Sequence, residues 1–411
     1  MSATSPTRLP PPRTKVRIPR LLPPSLIAIG EECPVRMFVG APDESGTLAP
    51  STVALLGTVL HHVRALWRIR PQDAADDGKQ AAEEIDAMLA DTLAESDAQL
   101  ESDTRTSGLA PLSEAVGYDR YVRQRMMLQR WAMSGVERVV AMEPGRLHLR
   151  LFDNERGAVR ESEDRFDTGI EPLLVANELR LRGRPDLLVR SADGTMVISD
   201  DKTGRVVDDT GHVLDKHEMQ LWLYALMVEH SKPGIPVNLR VIGESTHVVA
   251  WDQDTRERAM ARLTEAHERF PPDTVVAMDQ FAVPGSSCPN CRLRPRCASY
   301  QQAATAWWSR SGAAPRPVPF DAWGRLEQFE ETDLGLELRL EDDARRVVRI
   351  RGLSEAHGLT ASHLNHRVHL FGLQPTQELR LHGRWLAPTS WHERPPSRAY
   401  VRARTTRVFL G

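Results

Sequence analysis

The strongest constraint on the fold comes from four cysteines and from where they fall. Cys33 stands alone near the beginning, while Cys288, Cys291 and Cys297 lie together as C-x2-C-x5-C, and the 411-residue chain contains no others. In a chain of this size, without the disulfide density of a small secreted domain, such thiols read as metal ligands rather than as disulfides. A single site built from all four would tie the start of the chain to a segment far downstream, closing one very long loop.

Length allows one large core or two modest ones, so a main domain with a smaller companion is expected. The net charge of −3 means that a polyanionic partner must be held by local patches rather than by the whole field. Charge is unevenly spread. Between residues 72 and 103 eleven acids, from Asp73 to Asp103, face only Lys79, whereas from Arg345 onward only Glu355, Glu378 and Glu393 oppose a dozen arginines. Residues 1–24 are proline-rich and basic, which reads as a disordered arm. No charged-then-apolar leader opens the chain and no apolar run is long enough to span a membrane, so a cytoplasmic protein is expected.

Pattern then divides the chain. Val53, Leu56, Leu60, Val63 and Trp67 recur at helical spacing over residues 51–70, and residues 113–133 form a second expected helix. Between them, residues 72–107 read as an acidic solvated insertion, partly helical around residues 81–93. Strands are expected at 147–152, 173–181, 185–190 and 196–200, with Asp193 and Gly194 as a hairpin turn between the last two. A helix over 216–230, a strand or hairpin over 237–251 and a helix over 255–270 complete an α/β order. This main domain is placed at residues 25–305. A linker at 306–322 is followed by a small β-rich barrel or sandwich at 323–411, with short strands expected at 336–340, 346–351, 368–373, 378–381 and 400–409.

Two carboxylates stand where strands end: Asp186, in the run Gly183, Arg184, Pro185, Asp186, and Asp200, in the run Asp200, Asp201, Lys202, Thr203, Gly204. Hydrolysis of a phosphodiester needs a divalent cation to polarise the phosphoryl group and to supply hydroxide near neutral pH. Magnesium takes few, hard oxygen ligands, so two carboxylates on adjacent strands make a suitable seat. Strand alternation puts Asp200 and Lys202 on one face and Asp201 on the other. Lys202 can then orient the attacking water or offset charge on the phosphorane. A D-x-K triplet by itself is common, and an acidic turn beside a lysine is the alternative.

In their order and spacing these residues resemble the RecB-like branch of the PD-(D/E)XK nuclease superfamily. Pro185 and Asp186 match its PD motif, Asp200 to Gly204 its D-x-K-T-G motif, and Gln220 with Tyr224 its Q-x-x-x-Y motif on the following helix. Gly57 with His61 fits its G-x-x-x-H motif. The resemblance implies a central mixed sheet flanked by helices, a Mg2+ or Mn2+ ion held by His61, Asp186 and Asp200, and DNA as substrate. It gives Gln220 and Tyr224 roles on the DNA backbone or behind the metal site. His62 is the alternative ligand to His61, and Glu178 reads as a supporting carboxylate. Cys33 with the downstream trio is similar to the cluster-binding subset of the family, which includes the AddB-type repair nucleases and the CRISPR adaptation nucleases. That likeness implies a [4Fe–4S] cluster, for which four thiolates suit, although four thiolates also suit zinc. Arg292, Arg294 and Arg296, between the ligands, form an expected basic knuckle near DNA phosphates.

The expected activity is cleavage of DNA from ends or in single-stranded regions, in repair, recombination or defence against foreign DNA. No G-x-x-x-x-G-K-[ST] pattern occurs, so a helicase motor would have to come from another chain. The tail arginines, with Trp385, Trp391 and Tyr400 among them, suit a grip on single-stranded DNA as well as they suit a plain solvated surface. The alternative to a nuclease is an inert nuclease-fold subunit that clamps DNA or assembles with partners. The unbroken set of Asp186, Asp200 and Lys202 weighs against it.

Overall fold

The computed structural model describes residues 6–29, 33–35, 48, 52–70, 78–102, 112, 118–134, 149, 164–285, 288, 291–307, 320–333, 335–343, 345, 347–353, 355–375, 380–381, 384–385, 390–392 and 407–411. Strands β1 (Thr7–Arg8) and β2 (Lys15–Arg17) precede helices α1 (Pro24–Ile29), α2 (Thr52–Ile69), α3 (Gly78–Ser102) and α4 (Tyr118–Met133). Strands β3 (Arg165–Phe166), β4 (Gly169–Ile170), β5 (Leu174–Ala176), β6 (Leu181–Gly183), β7 (Leu187–Arg190) and β8 (Met196–Asp201) follow. Then come α5 (Asp215–Ser231), β9 (Val237–Ile242), β10 (Thr246–Val249), α6 (Gln253–Arg269), β11 (Val275–Ala277) and α7 (Ala298–Trp307).

The central sheet has the order β10-β9-β8-β7-β4. It is mixed: β8 and β9 run parallel, and the remaining pairs are antiparallel. Parallel neighbours need a crossover, and α5 provides it. Every residue of α5 from Met219 to Val228 is buried, as expected of a helix that is apolar all round. The face of α2 bearing Leu56, Leu60, Val63 and Trp67 packs a separate cluster with α3 and α4.

Two expectations are corrected here. The acidic segment at 72–107 is not a solvated insertion along its described part. Residues Ala81, Ile85, Leu89 and Leu93, one helical turn apart, bury the inner face of α3 against α2 and α4, while the acids stay outside. Asp86, on the rim, binds the Arg125 guanidinium and the Gln129 amide of α4. The arm at 1–24 is not disordered over residues 6–24. β2 pairs antiparallel with β11, β1 pairs parallel with the last strand of the chain, and Ile18 and Leu22 are fully buried. Prolines set the pace of this segment, but its alternate apolar residues give it a core to join.

The C-terminal strands are β12 (Phe320–Thr332), β13 (Gly335–Glu341), β14 (Val347–Leu353), β15 (Arg367–Pro375), the hairpin β16 (Arg380–Leu381) and β17 (Arg384–Trp385), β18 (Ser390–His392) and β19 (Arg407–Leu410). β12, β13 and β14 form an antiparallel meander. β14 pairs parallel with β18, β18 pairs antiparallel with β15, and β15 returns antiparallel to β12. The circuit closes into a five-stranded barrel around Leu326, Leu338, Leu340, Ile350, Val368 and Leu370. β19 and β1 extend it beside β15. The expected linker at 306–322 lies mostly outside the described residues, but its final residues already belong to β12, where Asp321 and Ala322 are buried. The strands expected at 147–152 and at 400–406 also lie outside the described residues, apart from Leu149.

Candidate metal centre and the four-cysteine cavity

Because β7 and β8 are antiparallel, the residue that precedes β7 lies beside the residues that end β8. That placement brings Asp186 to Asp200 and Asp201 at one end of the sheet. The Asp201 N–H donates to Asp186 Oδ2 at 2.5 Å, which fixes one carboxylate oxygen. α2 lies across the same end and delivers His61, whose Nδ1 is 3.1 Å from Asp186 Oδ1. Its close approach depends on Gly57, where an added Cβ would sit 3.3 Å from Thr203 Oγ1 of the D-x-K-T-G segment. The first and third motifs thus touch.

Alternation along β8 then sorts the three charged residues. Asp200 and Lys202 face α5: Lys202 Nζ lies 2.5 Å from Asp200 Oδ2, and Gln220 joins them. The Gln220 amide donates to Asp200 Oδ1 at 3.1 Å, and its oxygen accepts from Lys202 Nζ at 3.1 Å. One turn on, Tyr224 is buried and its hydroxyl donates to the Arg184 carbonyl at 2.9 Å. Its ring fills the space left by Gly183, where a Cβ would lie 2.7 Å from Tyr224 Cε1. Gln220 and Tyr224 therefore stand behind the carboxylates, the second of their two expected roles, and the burial of Tyr224 leaves it away from a DNA backbone.

Asp201 faces the other way, toward α2. Arg68 grips it with both terminal nitrogens, at 2.7 and 3.0 Å, and Arg64 lies 3.7 Å from it. All three side chains are 3% exposed or less. Both guanidinium groups also lie about one ring-width over Trp131 of α4, at 5.2 and 5.3 Å from its centroid. Arg64 and Arg68, one turn apart on the helix of His61, went unread in the sequence. The signal was the Asp200–Asp201 doublet: a second buried acid needs its own cation. His61, Asp186 and Asp201 offer ligand atoms within 4.8 Å of one another, so Asp201 joins Asp186 and His61 in the carboxylate-imidazole cluster although its charge is already engaged by arginine.

The electrostatics follow from burial and from these pairs. Desolvation pushes Asp200 up to about 7, with Asp186 adding to the rise and Lys202 opposing it. Asp186 is also desolvated, but His61 and Lys202 outweigh that and hold it well below the usual carboxylate range. Burial alone would depress Lys202, yet Asp200 and Asp186 keep it above the ordinary lysine value. His61 is likewise raised, because Asp186 beside it outweighs its desolvation. Two neighbouring carboxyls with values pushed apart is the pattern of groups assigned different protons.

The four cysteines come together as the spacing requires. Cys33, Cys288, Cys291 and Cys297 line one cavity, with Val35, Ala282 and Pro284 as apolar walls, and none is in a disulfide. Desolvation pushes the Cys288 thiol up, and Cys297 up to about 12, with the neighbouring thiols adding to both. Four converging sulfurs, of which Cys288 and Cys297 resist ionisation on their own, are a donor set suited to a cation that compensates thiolate charge.

The expected DNA-facing trio is divided. Arg294 is buried: its Nε donates to Asp321 Oδ2 at 2.8 Å, and its Nη1 donates to the carbonyls of Cys288 and Cys291. It cannot reach a phosphate. Arg292 donates to the Leu48 carbonyl at 3.0 Å, and Arg296 is half-buried. Glu178 is 84% exposed and pairs with His230 at 3.8 Å, so it does not support the carboxylate centre.

No helix among the described residues is long and apolar enough to cross a membrane. The chain is similar to a protein of Myxococcus xanthus (strain DK1622) named CRISPR-associated exonuclease Cas4/endonuclease Cas1 fusion. The two are 30% identical over 186 residues, which cover 43% of this chain and 28% of that protein. The chain thus matches little more than a quarter of that relative's length. The sequence profile of the PD-(D/E)XK nuclease superfamily matches residues 24–298, a span that holds His61, both strand carboxylates, Lys202, Gln220 and all four cysteines. On that match, and with these motifs gathered at one end of a mixed sheet, the chain belongs to the PD-(D/E)XK nuclease superfamily.

Proposed function

We propose that this protein is a Mg2+- or Mn2+-dependent deoxyribonuclease, with His61, Asp186 and Asp200 holding the cation. The observation that carries the reading is the convergence of an early helix, two strand ends and a crossover helix on one cluster, in which Gln220 ties Asp200 to Lys202. A bound cation would supply Lewis acidity and a water of lowered pKa. Lys202, kept cationic by its two carboxylates, would orient the attacking water and offset charge on the phosphoryl group. Tyr224 and Gly183 hold the turn that presents Asp186.

The four cysteines would hold a [4Fe–4S] cluster that closes the domain, in a protein of the cytoplasm. The Myxococcus relative is named a CRISPR-associated exonuclease, which supports cutting from ends and a CRISPR-linked place in defence. A helicase or defence subunit would come from another chain. Purified protein should degrade DNA with magnesium or manganese and not with EDTA. Asp200→Ala and Lys202→Ala should each abolish cleavage while far-ultraviolet circular dichroism is unchanged. Wild-type cutting by both variants would sink the assignment.

A further inference from the structure

The C-terminal barrel has a definite connectivity. A three-stranded meander, β12-β13-β14, is followed by β15, which pairs with β12, and by β18, which closes the circuit parallel to β14 and antiparallel to β15. Taken as strands one to five of a barrel, the order around it is 1-2-3-5-4, the arrangement of the OB-type Greek-key barrel. Such barrels bind oligonucleotides across the face of strands two and three and with the loops that join one to two and four to five.

The outer face of strands two and three carries an anomaly. Leu338, Leu340 and Ile350 point inward, so Arg339 of β13 and Arg349 of β14 point out, and the two are direct cross-strand partners. Like charges in that relation are destabilising. Other arginines on this face are matched: Arg351 lies 3.9 Å from Glu337, and Arg325 lies 2.7 Å from Glu327 and 4.0 Å from Glu341. Among the described residues no carboxylate pairs with Arg339 or Arg349. Their flanking partners in the same row across the sheet are Gln328 of β12 and Ser390 of β18, which add no negative charge. The glutamates of this face lie in the neighbouring rows. One uncompensated cationic row therefore crosses the sheet, perpendicular to the strands. The connection between strands four and five is itself a hairpin, β16 and β17, whose sequence includes Arg380, Arg384 and Trp385.

We infer that the barrel is a second nucleic-acid site, which binds single-stranded DNA across β13 and β14 with Arg339 and Arg349 on consecutive phosphates. The polyanion relieves the arginine–arginine opposition, and the row's direction sets the path of the strand. The inference rests on the proposed nuclease function only for the choice of DNA as the polynucleotide.

The test is fluorescence anisotropy of labelled oligothymidylate with the full-length protein in EDTA, where no cleavage intervenes, for wild type and for Arg339→Gln/Arg349→Gln. Two lost single-strand phosphate contacts should lower affinity roughly ten- to thirtyfold near 0.1 M salt and flatten the slope of log K against log salt by about 1.4. Melting temperature should not fall, since an unfavourable opposition is removed. Arg325→Gln/Arg351→Gln, which removes matched charges, should change both quantities much less. Unchanged affinity and slope in the Arg339/Arg349 variant would overturn the inference. An equal loss on duplex DNA would overturn the single-strand assignment. Loss confined to RNA of the same sequence would assign the face to RNA instead. Cleavage by the Lys202→Ala variant is read separately with metal present, so failure at the catalytic centre and failure at the barrel give different results.

Discussion

Asp321 is the point at which the cysteine segment and the barrel depend on each other. Its carboxylate is fully buried and accepts from three donors: Arg294 Nε at 2.8 Å, the Tyr300 hydroxyl, and the Gly372 N–H of β15 at 2.7 Å. Arg294 in turn holds the carbonyls of Cys288 and Cys291. Asp321→Ala would leave a buried guanidinium without its counter-charge, and removing one partner of such a pair costs about 3–5 kcal/mol. The melting shift depends on what unfolds. With an unfolding entropy of about 2.1 cal/mol/K per residue, the loss is about 4–6 °C if the chain melts as one unit. It is roughly 15–25 °C of a separate transition if the barrel melts alone. Differential scanning calorimetry of protein purified without oxygen distinguishes these cases, and the metal content of the same samples shows whether the cysteine site loosens with the pair. Arg294→Met/Asp321→Leu, which replaces the whole pair with apolar volume, should be less damaging than Asp321→Ala. An Asp321→Ala protein as stable as wild type would refute the reasoning, as would a double variant worse than the sum of its parts.

Other outcomes follow from the same physics. Asp201→Ala should destabilise the fold by about 3–5 kcal/mol, because Arg64 and Arg68 lose a shared buried anion, and urea denaturation reads it. Unaltered stability would mean that the arginines find another partner. Asp200, raised to about 7, still holds its proton below that pH, whereas a cation needs the carboxylate. Manganese binding should therefore weaken as pH falls through about 7 and release more than one proton at about pH 6, from Asp200 and from the raised His61, with less release at about pH 8.5. Calorimetry in buffers of different ionisation enthalpy measures this, and no release at the lower pH would count against the raised value. Protein isolated without oxygen should be brown with about four irons per chain, and Cys33→Ser should lower stability and colour as much as Cys291→Ser, since each removes one of four ligands. A colourless protein with one zinc would replace the cluster with a knuckle.

Much of the centre was legible in the sequence because its chemistry is local. Asp200 and Lys202 share a strand face by alternation, Gln220 and Tyr224 share a helix face by their spacing, and the cysteine pattern demands one shared site. These relations span a few residues and need only the geometry of a strand or helix. What reading by type could not supply was burial. Arg294 looks like a phosphate contact in a run of alternating arginines, but only packing shows it turned inward onto Asp321. Tyr224 looks like a hand for DNA, but Gly183 makes room for its ring beneath the Asp186 turn.

The acidic stretch and the proline-rich start join the core for a related reason. Composition reports the average of a segment, whereas folding depends on one face of it. Ala81, Ile85, Leu89 and Leu93 suffice to bury α3, whatever the acids opposite them. Val16, Ile18 and Leu22 suffice to anchor the start of the chain. The amino-acid sequence thus determined by itself which residues could form a metal-binding nuclease centre, since that depends on residue type at fixed short spacing. The tertiary structure alone decided that Asp201 belongs to Arg64 and Arg68, that Asp321 joins the cysteine segment to the barrel, and that the last strands close in a 1-2-3-5-4 circuit. Each of these is a meeting of residues distant along the chain, where desolvation obliges every buried charge to find a partner and no local pattern names which one.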